Sequence, residues 1–374
     1  MKIFLLPLIL LSFFLNAQIT LKVVSFPKNT QEIYLAGDVN GWNPKDENFR
    51  LKKNSAGAYE LTLPELSGKA EYKFTQGSWE TAEGNKTGSN VENRELHFTG
   101  KPQQLELAIE SWQIPAPKKS TASKNVKILS ENFYMPQLQR HRRIWIYLPP
   151  DYETSRKKYP VMYFHDGQNL FDEKTSYSGE WGIDETLNRI AANGEDVQII
   201  VGIDNGGDKR IDELSPFNNP KYGGGNGENY MKFIVETLKP YIDKNFQTKK
   251  SRKHTTLGGS SLGGLISVYG AAKHPEIFGN IVAFSPAFWF NSKELNTFLQ
   301  TSDLNLKRQR FYIIQGTHED EGMLEETQKV IESLKMRNVK PQNIYFREHE
   351  DGKHNEGYWR REFPNAFEWI NAKN

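Results

Sequence analysis

The sequence predicts a small all-β domain followed by a larger α/β domain, whose mostly parallel sheet carries helices on both faces. Three observations lead to this fold class. The chain has 374 residues, which suits two domains better than one. Short segments of period two fill its first part. Short apolar strands alternate with amphipathic helical segments from about residue 125 onward.

The composition is that of an ordinary globular protein, with 37% hydrophobic residues, 25% charged residues and a formal net charge of +2. This balance predicts neither nucleic acid nor an anionic membrane surface as a partner. The sequence contains no cysteine, which excludes a cysteine nucleophile, a thiolate metal site and disulfides. We expect no cofactor and no metal.

The first residues are typical of a secretory signal peptide. Lys2 precedes an apolar run over residues 3–15, and the small residue Ala17 follows it. We therefore predict a signal peptide over residues 1–17, cut after Ala17, and an exported protein, periplasmic or extracellular. A buried N-terminal helix is the alternative. The run is too short to span a membrane comfortably, and no other stretch of the sequence is long and apolar enough.

The predicted all-β domain covers residues 18–112 and reads as a sandwich, because its short strands recur with turns between them and without helical period. Its clearest predicted strands are residues 33–36, 59–63, 71–74 and 104–109. Residues 113–124 are polar and contain prolines, so we predict an interdomain linker there.

The predicted α/β domain covers residues 125–374. Several of its strands are near-continuous apolar runs, as expected of strands covered on both faces. The predicted strands are residues 143–148, 161–164, 198–203, 255–258, 281–284, 311–315 and 343–347. The sites of such a sheet lie at the carboxyl ends of its strands.

One of these strand ends carries the pentapeptide Gly259-Ser260-Ser261-Leu262-Gly263, between a strand and a helical segment. This is the setting of a nucleophile elbow, in which glycines allow a sharp turn that exposes the central serine, Ser261. The backbone N–H of Leu262 can then face a developing oxyanion. Ser260 is a poorer candidate, because the pentapeptide centred on Ser260 ends in Leu262 and so lacks the second glycine of the motif. The alternative is an ordinary glycine-serine turn.

Three further strand-end loops complete the candidate site. The early loop 165–172 can supply a second oxyanion donor, the backbone N–H of Gln168 or its neighbour. His165 and Asp166 in that loop precede the serine and lack further ligands at metal-site spacing. An acid and a histidine base should follow the serine in the chain, and loops 316–321 and 348–355 contain both residue types.

The second domain resembles an esterase family of α/β-hydrolases that includes enterochelin, feruloyl and acetylxylan esterases. The motifs that carry the resemblance are Tyr147-Leu148-Pro149-Pro150, His165-Asp166-Gly167-Gln168-Asn169, Gly259-Ser260-Ser261-Leu262-Gly263-Gly264, Phe284-Ser285-Pro286 and Gly352-Lys353-His354-Asn355 with Trp359. The resemblance implies Ser261 as nucleophile, His354 as base and Glu319 as acid, with Asp320 as second choice. His318 and His349 are the alternative bases.

Three other residues of this domain are candidates for substrate binding. Trp181 and Trp289 follow strand-end loops, and either can line a substrate cleft or pack against other side chains of the domain. Arg210 can meet a substrate carboxylate or pair with Glu213.

The first domain resembles the starch-binding domains and related early-set, immunoglobulin-like sandwiches of glucan-active enzymes. Residues 34–37, 41–44, 71–74, 77–80 and 92–94 carry the resemblance. It implies that Trp42 and Trp79 stack on sugar rings and that Lys73 and Asn93 bind hydroxyls. The alternative is a sandwich with a core tryptophan and no sugar binding.

Together these observations lead us to expect a secreted serine esterase that removes acetyl or feruloyl groups from polysaccharides, with a carbohydrate ester as substrate and a glycan as a possible partner of the first domain. A siderophore esterase similar to the enterochelin esterases is the alternative within the same chemistry. A catalytically silent glycan-binding protein is the alternative from another class.

Overall fold

The computed structural model describes residues 18–63, 68–114, 119–177, 179–317, 319 and 322–372. The chain divides into two compact units, unit 1 up to residue 118 and unit 2 from residue 119. The predicted signal peptide, residues 1–17, lies outside the described residues. In the described part of the chain, no helix has the length and apolar character that a membrane span requires.

Unit 1 is built from strands joined by turns and short 3-10 helices. Its strands are β1 (Ile19–Ser25), β2 (Tyr34–Gly37), β3 (Lys52–Lys53), β4 (Tyr59–Leu63), β5 (Gly68–Thr75), β6 (Glu83–Gly84), β7 (Arg94–Phe98), β8 (Gln103–Ala108) and β9 (Ser111–Trp112). Within the described residues they form sheets of order β3-β4-β1-β8, β2-β5-β7 and β6-β9.

The two larger sheets of unit 1 share one hydrophobic core. Leu21 of β1 and Leu63 of β4 pack in one cluster with Leu35 of β2 and Phe74 of β5. These side chains are no more than 2% exposed. The alternation predicted from the sequence therefore places one face of each sheet against a common interior.

Unit 2 is organised around one sheet. Its strands are β10 (Val126–Met135), β11 (Arg140–Tyr147), β12 (Val161–His165), β13 (Ile199–Ile203), β14 (Asn218–Asn219), β15 (Gly223–Gly224), β16 (Thr255–Ser260), β17 (Asn280–Phe284), β18 (Arg310–Gly316) and β19 (Ile344–His349). Among the described residues, eight of them form the sheet in the order β10-β11-β13-β12-β16-β17-β18-β19. From β13 to β19 the neighbours are parallel, whereas β10 and β11 are antiparallel.

Helices cover both faces of this sheet. They are α1 (Ile183–Ala192), α2 (Arg210–Leu214), α3 (Gly227–Lys232), α4 (Lys239–Asn245), α5 (Leu262–Lys273), α6 (Ser292–Thr301), α7 (Met323–Met336) and α8 (Glu356–Asn371). Side chains alternate along β12, so that Met162 and Phe164 pack with residues of α1 and α8. Tyr163 packs on the other face with residues of α3 to α7. The predicted α/β architecture is thus confirmed for unit 2.

Two segments differ from the sequence prediction. The edge strand β10 was not predicted, because its exposed and half-buried residues do not alternate. Its pairing with β11 also shifts register between Ile128 and Ser130 and again before Phe133.

The predicted linker 113–124 is also shorter than expected. Thr121 Oγ1 donates to Glu180 (2.9 Å) and Ser123 N donates to Asp184 (2.7 Å), so this part of the segment belongs to unit 2.

Candidate active site

Ser261 occupies the sharp turn between β16 and α5. Its backbone has φ 56° and ψ −123°, a combination that a non-glycine residue keeps only when its surroundings hold it. Ser261 N donates to Phe284 O (3.0 Å), and Ser261 O accepts from Ala287 N (3.0 Å). The end of β17 and the residues after it therefore hold this turn, which carries the candidate nucleophile.

The glycines of the turn are needed for close approach. A Cβ on Gly259 would lie 3.1 Å from the Gly263 backbone and from His165 Cδ2. A Cβ on Gly264 would lie 2.9 Å from Pro286 Cβ. A larger side chain at Gly264 would push α5 away from the end of β17, and one at Gly259 would push the end of β16 away from α5 and from the end of β12.

The two later strand-end loops bring an acid and a base together. Glu319, in the loop after β18, has one carboxylate oxygen, Oε2, 3.1 Å from Nδ1 of His354. Its other oxygen, Oε1, accepts from Gly316 N (2.7 Å) and from Ser285 Oγ (2.6 Å). The Glu319 side chain is 1% exposed and that of His354 is 37% exposed. The carboxylate is therefore buried and hydrogen-bonded, while the imidazole reaches solvent. Asp320 and His318, the second choices for acid and base, lie outside the described residues.

Trp359 and Ser285 belong to the same network, although neither had a predicted role. The Trp359 indole lies edge-to-face with the His354 ring, with a centroid distance of 5.2 Å and an interplanar angle of 82°. Its Nε1 donates to Ser285 Oγ (2.9 Å). Both residues stand in motifs that carried the family resemblance, which was the only available signal for them.

Trp181 is a core residue. It is 2% exposed and packs against Trp359 at 5.7 Å and against Phe164 and Phe284. The expectation that Trp181 contacts substrate is therefore corrected, because its ring supports Trp359 from within the core. Trp289 is different, since it is 41% exposed and lies edge-on to Tyr222 at 6.1 Å.

The candidate oxyanion donors occupy the starts of two helices. Leu262 is the first residue of α5, and the first N–H groups of a helix have no acceptor within it. Gln168 is the second residue of the 3-10 helix Gly167–Asn169, directly after β12. Its side-chain Oε1 accepts from Asn205 N (3.1 Å), which ties this loop to the one after β13. Both positions lie at the carboxyl edge of the parallel strands.

Arg210 pairs with Asp166 rather than with Glu213. Arg210 Nε and Nη2 donate to the two carboxylate oxygens of Asp166 at 2.8 and 2.9 Å. Burial would raise the pKa of Asp166, but the Arg210 charge and hydrogen bonds outweigh it and hold this pKa below its usual value. Glu213 instead pairs with Arg140 and Arg142.

His165 is a buried neutral side chain. It is 1% exposed, and its Nδ1 lies 2.8 Å from the Tyr230 hydroxyl. Burial lowers its pKa to about 4, so the imidazole is uncharged at neutral pH. With Asp166 held by Arg210, the early His-Asp pair serves to pack and order the loop after β12.

A carboxylate cluster lies at the start of α1. Among the described residues, Glu180, Asp184 and Glu185 form one group of acids with ligand oxygens within 4.8 Å of one another. Burial and the neighbouring Asp184 raise the pKa of Glu185 to about 7. A proton held by Glu185 offsets part of the negative charge that these three acids bring together.

The four candidates for sugar binding in unit 1 separate into surface and interior residues. The Trp42 and Trp79 rings are half-buried, 6.0 Å apart and inclined by 31°. Asn93 is exposed and donates to Glu71 (2.8 Å). Lys73 is only 7% exposed, and its amine donates to Asn90 and to the backbone of Val91. The expectation that Lys73 binds sugar is corrected, because its amine is used inside the unit.

The likeness of the chain to known proteins centres on unit 2. A family model described as "Esterase: Putative esterase" matches residues 136–370. "Uncharacterized protein YbbA" of Bacillus subtilis (strain 168) is 27% identical over 248 residues, which are 63% of this chain and 94% of that protein. The family match includes every candidate residue of the site in unit 2.

Solved structures share the fold. A ferulic acid esterase superposes with a TM-score of 0.51 at 20% identity, over 66% of this chain and 98% of its own. The enterobactin esterase of Shigella flexneri, in the presence of enterobactin, superposes with a TM-score of 0.55 at 15% identity, over 91% of this chain and 87% of its own. Unit 2 therefore has an α/β-hydrolase fold with a mostly parallel central sheet.

Proposed function

This chain belongs to the esterase family whose model matches residues 136–370, and from this premise we propose that it removes acetyl or feruloyl groups from polysaccharides with Ser261 as nucleophile. The observation that supports the serine mechanism best is the pairing of Glu319 Oε2 with His354 Nδ1 at 3.1 Å, in strand-end loops of the sheet that carries Ser261. The apolar run at residues 3–15 supports export, so the enzyme meets its substrate outside the cytoplasm.

The proposed reaction has two halves. His354 Nε2 accepts the Ser261 proton as the hydroxyl oxygen attacks the ester carbonyl, and the backbone N–H groups of Leu262 and Gln168 bind the oxyanion. The imidazolium then returns the proton to the leaving alcohol, which departs and leaves an acyl group on Ser261. Water, deprotonated by His354, attacks the carbonyl of this acyl-enzyme. The Ser261 oxygen then leaves, regains the proton from the imidazolium, and the acid is released. Glu319 holds the imidazole with Nδ1 protonated and stabilises its positive charge.

The polysaccharide ester is favoured by features of both units. The Trp42 and Trp79 rings offer a half-exposed aromatic surface of the kind that stacks on sugar rings. In unit 2, Trp289 adds an exposed aromatic face two residues from Ala287, whose N–H binds the Ser261 carbonyl. An aromatic acyl group or a sugar ring can lie on such a face.

A siderophore ester is the second candidate. Its support is that the likeness to the enterobactin esterase extends over 91% of this chain and so includes residues of both units. Arg210 does not add to this support, because its guanidinium, 28% exposed, already donates two hydrogen bonds to Asp166.

A substrate panel tests the proposal. Wild type and Ser261→Ala are compared on an activated acetyl ester, methyl ferulate, acetylated xylan and a ferric trilactone siderophore. We expect serine-dependent turnover that is fastest on acetylated xylan or methyl ferulate. Faster release of catechol from the siderophore would replace the polysaccharide proposal with the second candidate. No serine-dependent turnover on any of the four, together with glycan binding, would favour a catalytically silent glycan-binding protein.

A further inference from the structure

A buried serine connects the candidate acid with the tryptophan beside the candidate base. Ser285 is fully buried and lies directly after β17, the strand next to β16. Its Oγ is 2.6 Å from Glu319 Oε1 and 2.9 Å from Trp359 Nε1. The three residues come from different parts of the chain, so only the fold brings them together.

The direction of these hydrogen bonds is determined by the groups themselves. An indole N–H can only donate, and an ionised carboxylate can only accept. Ser285 Oγ therefore accepts from Trp359, and its single proton is donated to Glu319. A distance of 2.6 Å is typical of a hydroxyl that donates to a charged oxygen.

The hydrogen bonds to Glu319 determine which of its carboxylate oxygens faces the histidine. Ser285 Oγ and Gly316 N both donate to Oε1. The Oε2 atom is left to face His354 Nδ1. With Nδ1 as the donor to Glu319, the lone pair of Nε2 is the one that can accept a proton from a nucleophile.

The backbone of Ser285 is held in an unfavourable conformation. Its φ is 44°, in the left-handed region that serine rarely adopts. Ser285 N donates to Ile314 O of β18 at 2.7 Å, which keeps the residue in place. Such strain is retained where the surrounding structure holds it, and it is common at functional sites. Here it sets the position from which the hydroxyl reaches Glu319.

We infer that Ser285 and Trp359 are positioning residues for the Glu319–His354 pair: the Trp359 indole orients the Ser285 hydroxyl, which orients the Glu319 carboxylate toward His354. This inference rests on the proposed serine esterase function and assigns the residues that prepare its acid and base. Trp359 contributes twice, because its ring also packs against the imidazole that Glu319 orients. Neither residue is required to touch the substrate.

The test measures kcat and KM on an activated acetyl ester in the full chain. Ser285→Ala removes the donor to Glu319 and should lower kcat about 10- to 100-fold while leaving KM within about 2-fold, since a hydrogen bond to a charged group is lost. Trp359→Phe keeps a ring but removes the indole N–H, and should lower kcat about 10-fold or less.

Ser333→Ala is the matched control. Ser333 is equally buried, accepts from Gln300 Nε2 (2.9 Å) and donates to Asn296 Oδ1 (2.8 Å), in the α6–α7 region. Its loss should lower the melting temperature about as much as Ser285→Ala does but leave kcat within about 2-fold of wild type. A double variant of Ser285→Ala and Glu319→Ala should be no slower than Glu319→Ala alone, because Ser285 acts through Glu319.

Different results separate the inference from the function on which it rests. Equal rates of wild type and Ser261→Ala would overturn the proposed function, and the inference with it. Where turnover depends on Ser261, three results would overturn the inference alone. These are an unchanged kcat in both Ser285→Ala and Trp359→Phe, full additivity of Ser285→Ala with Glu319→Ala, or an equal loss of kcat in Ser333→Ala.

Discussion

The Glu319 carboxylate is almost fully buried and forms three polar contacts, to Gly316, Ser285 and His354. A buried charge is tolerated when it is hydrogen-bonded in this way. The histidine that it faces is by contrast partly exposed. A carboxylate in such a position can orient an imidazole and stabilise its positive charge. This is the role that we propose for Glu319.

Glu319→Ala should therefore lower kcat about 10³- to 10⁴-fold and leave KM little changed, because an imidazole without its carboxylate loses its tautomer and orientation. Asp320→Ala is the control, as the neighbouring acid of the same loop, and should retain at least half of the wild-type kcat. Initial rates on an activated acetyl ester measure both. A larger loss in Asp320→Ala would mean that the acid is Asp320.

Single residues differ in how far the sequence predicts them. Ser261 follows from a local motif, since glycines on both sides of a serine have a clear steric reason. The contacts of Ser285 with Glu319 and of Arg210 with Asp166 join residues 34 and 44 positions apart. No local sequence pattern predicts such pairs. The structure shows them because the ends of the parallel strands lie at one edge of the sheet.

The segment 119–123 and helix α1 form an element whose stability depends on ionisation. Thr121 and Ser123 donate to Glu180 and Asp184, and Glu185 lies beside them on α1. Burial and Asp184 raise the pKa of Glu185 to about 7, above its ordinary value of 4.5. Between these two values the folded protein keeps a proton that the unfolded chain has released, so folding stability falls as pH rises through this range.

Glu185→Gln should remove this contribution. The variant and wild type should melt at similar temperatures at pH 5, and the variant should melt at the higher temperature at pH 8, where wild type must ionise Glu185 in the folded state. Thermal unfolding followed by circular dichroism measures the difference. Glu153→Gln, at a side chain that is 76% exposed, is the control and should leave the pH dependence unchanged. A Glu185→Gln effect of equal size at both pH values would contradict this account.

The predicted strands agree best with the observed strands where the strand is completely buried. The parallel strands β12, β13 and β17 consist of buried and mainly apolar residues, so their runs were clear in the sequence. Strand β16 is equally buried but has the sequence TTLGGS, and its signal was the glycine-serine motif at its end. The exposed edge strand β10 had no such signal. Apolar residues recur at helical spacing from Tyr230 to Ile242 in the sequence, which predicts one helix. The structure instead contains α3, a π-helical turn over Phe233–Leu238, and α4.

At the scale of the whole molecule, the two units carry different candidate sites. The aromatic pair of unit 1 consists of Trp42 and Trp79, and the candidate triad belongs to unit 2. Combining Trp42→Ala with Trp79→Ala should weaken binding to soluble xylan or starch about tenfold or more, because the stacking surface is lost. Turnover of an activated acetyl ester should stay within about 2-fold of wild type.

Affinity electrophoresis measures glycan binding in this comparison, with Ser261→Ala as the reciprocal control that binds glycan but does not turn over ester. Unchanged glycan affinity in the double tryptophan variant would show that this pair is not a sugar-binding surface. A matching loss of ester turnover would show that the two changes damage the chain as a whole.

Whether Ser261 is the nucleophile of an ester hydrolase is decided by kcat/KM on an activated acetyl ester. Three proteins are compared: wild type, Ser261→Ala, and Ser260→Ala as the adjacent serine. We expect kcat/KM to fall about 10⁴- to 10⁶-fold in Ser261→Ala and far less in Ser260→Ala. Wild-type activity in a folded Ser261→Ala protein would contradict this role of Ser261.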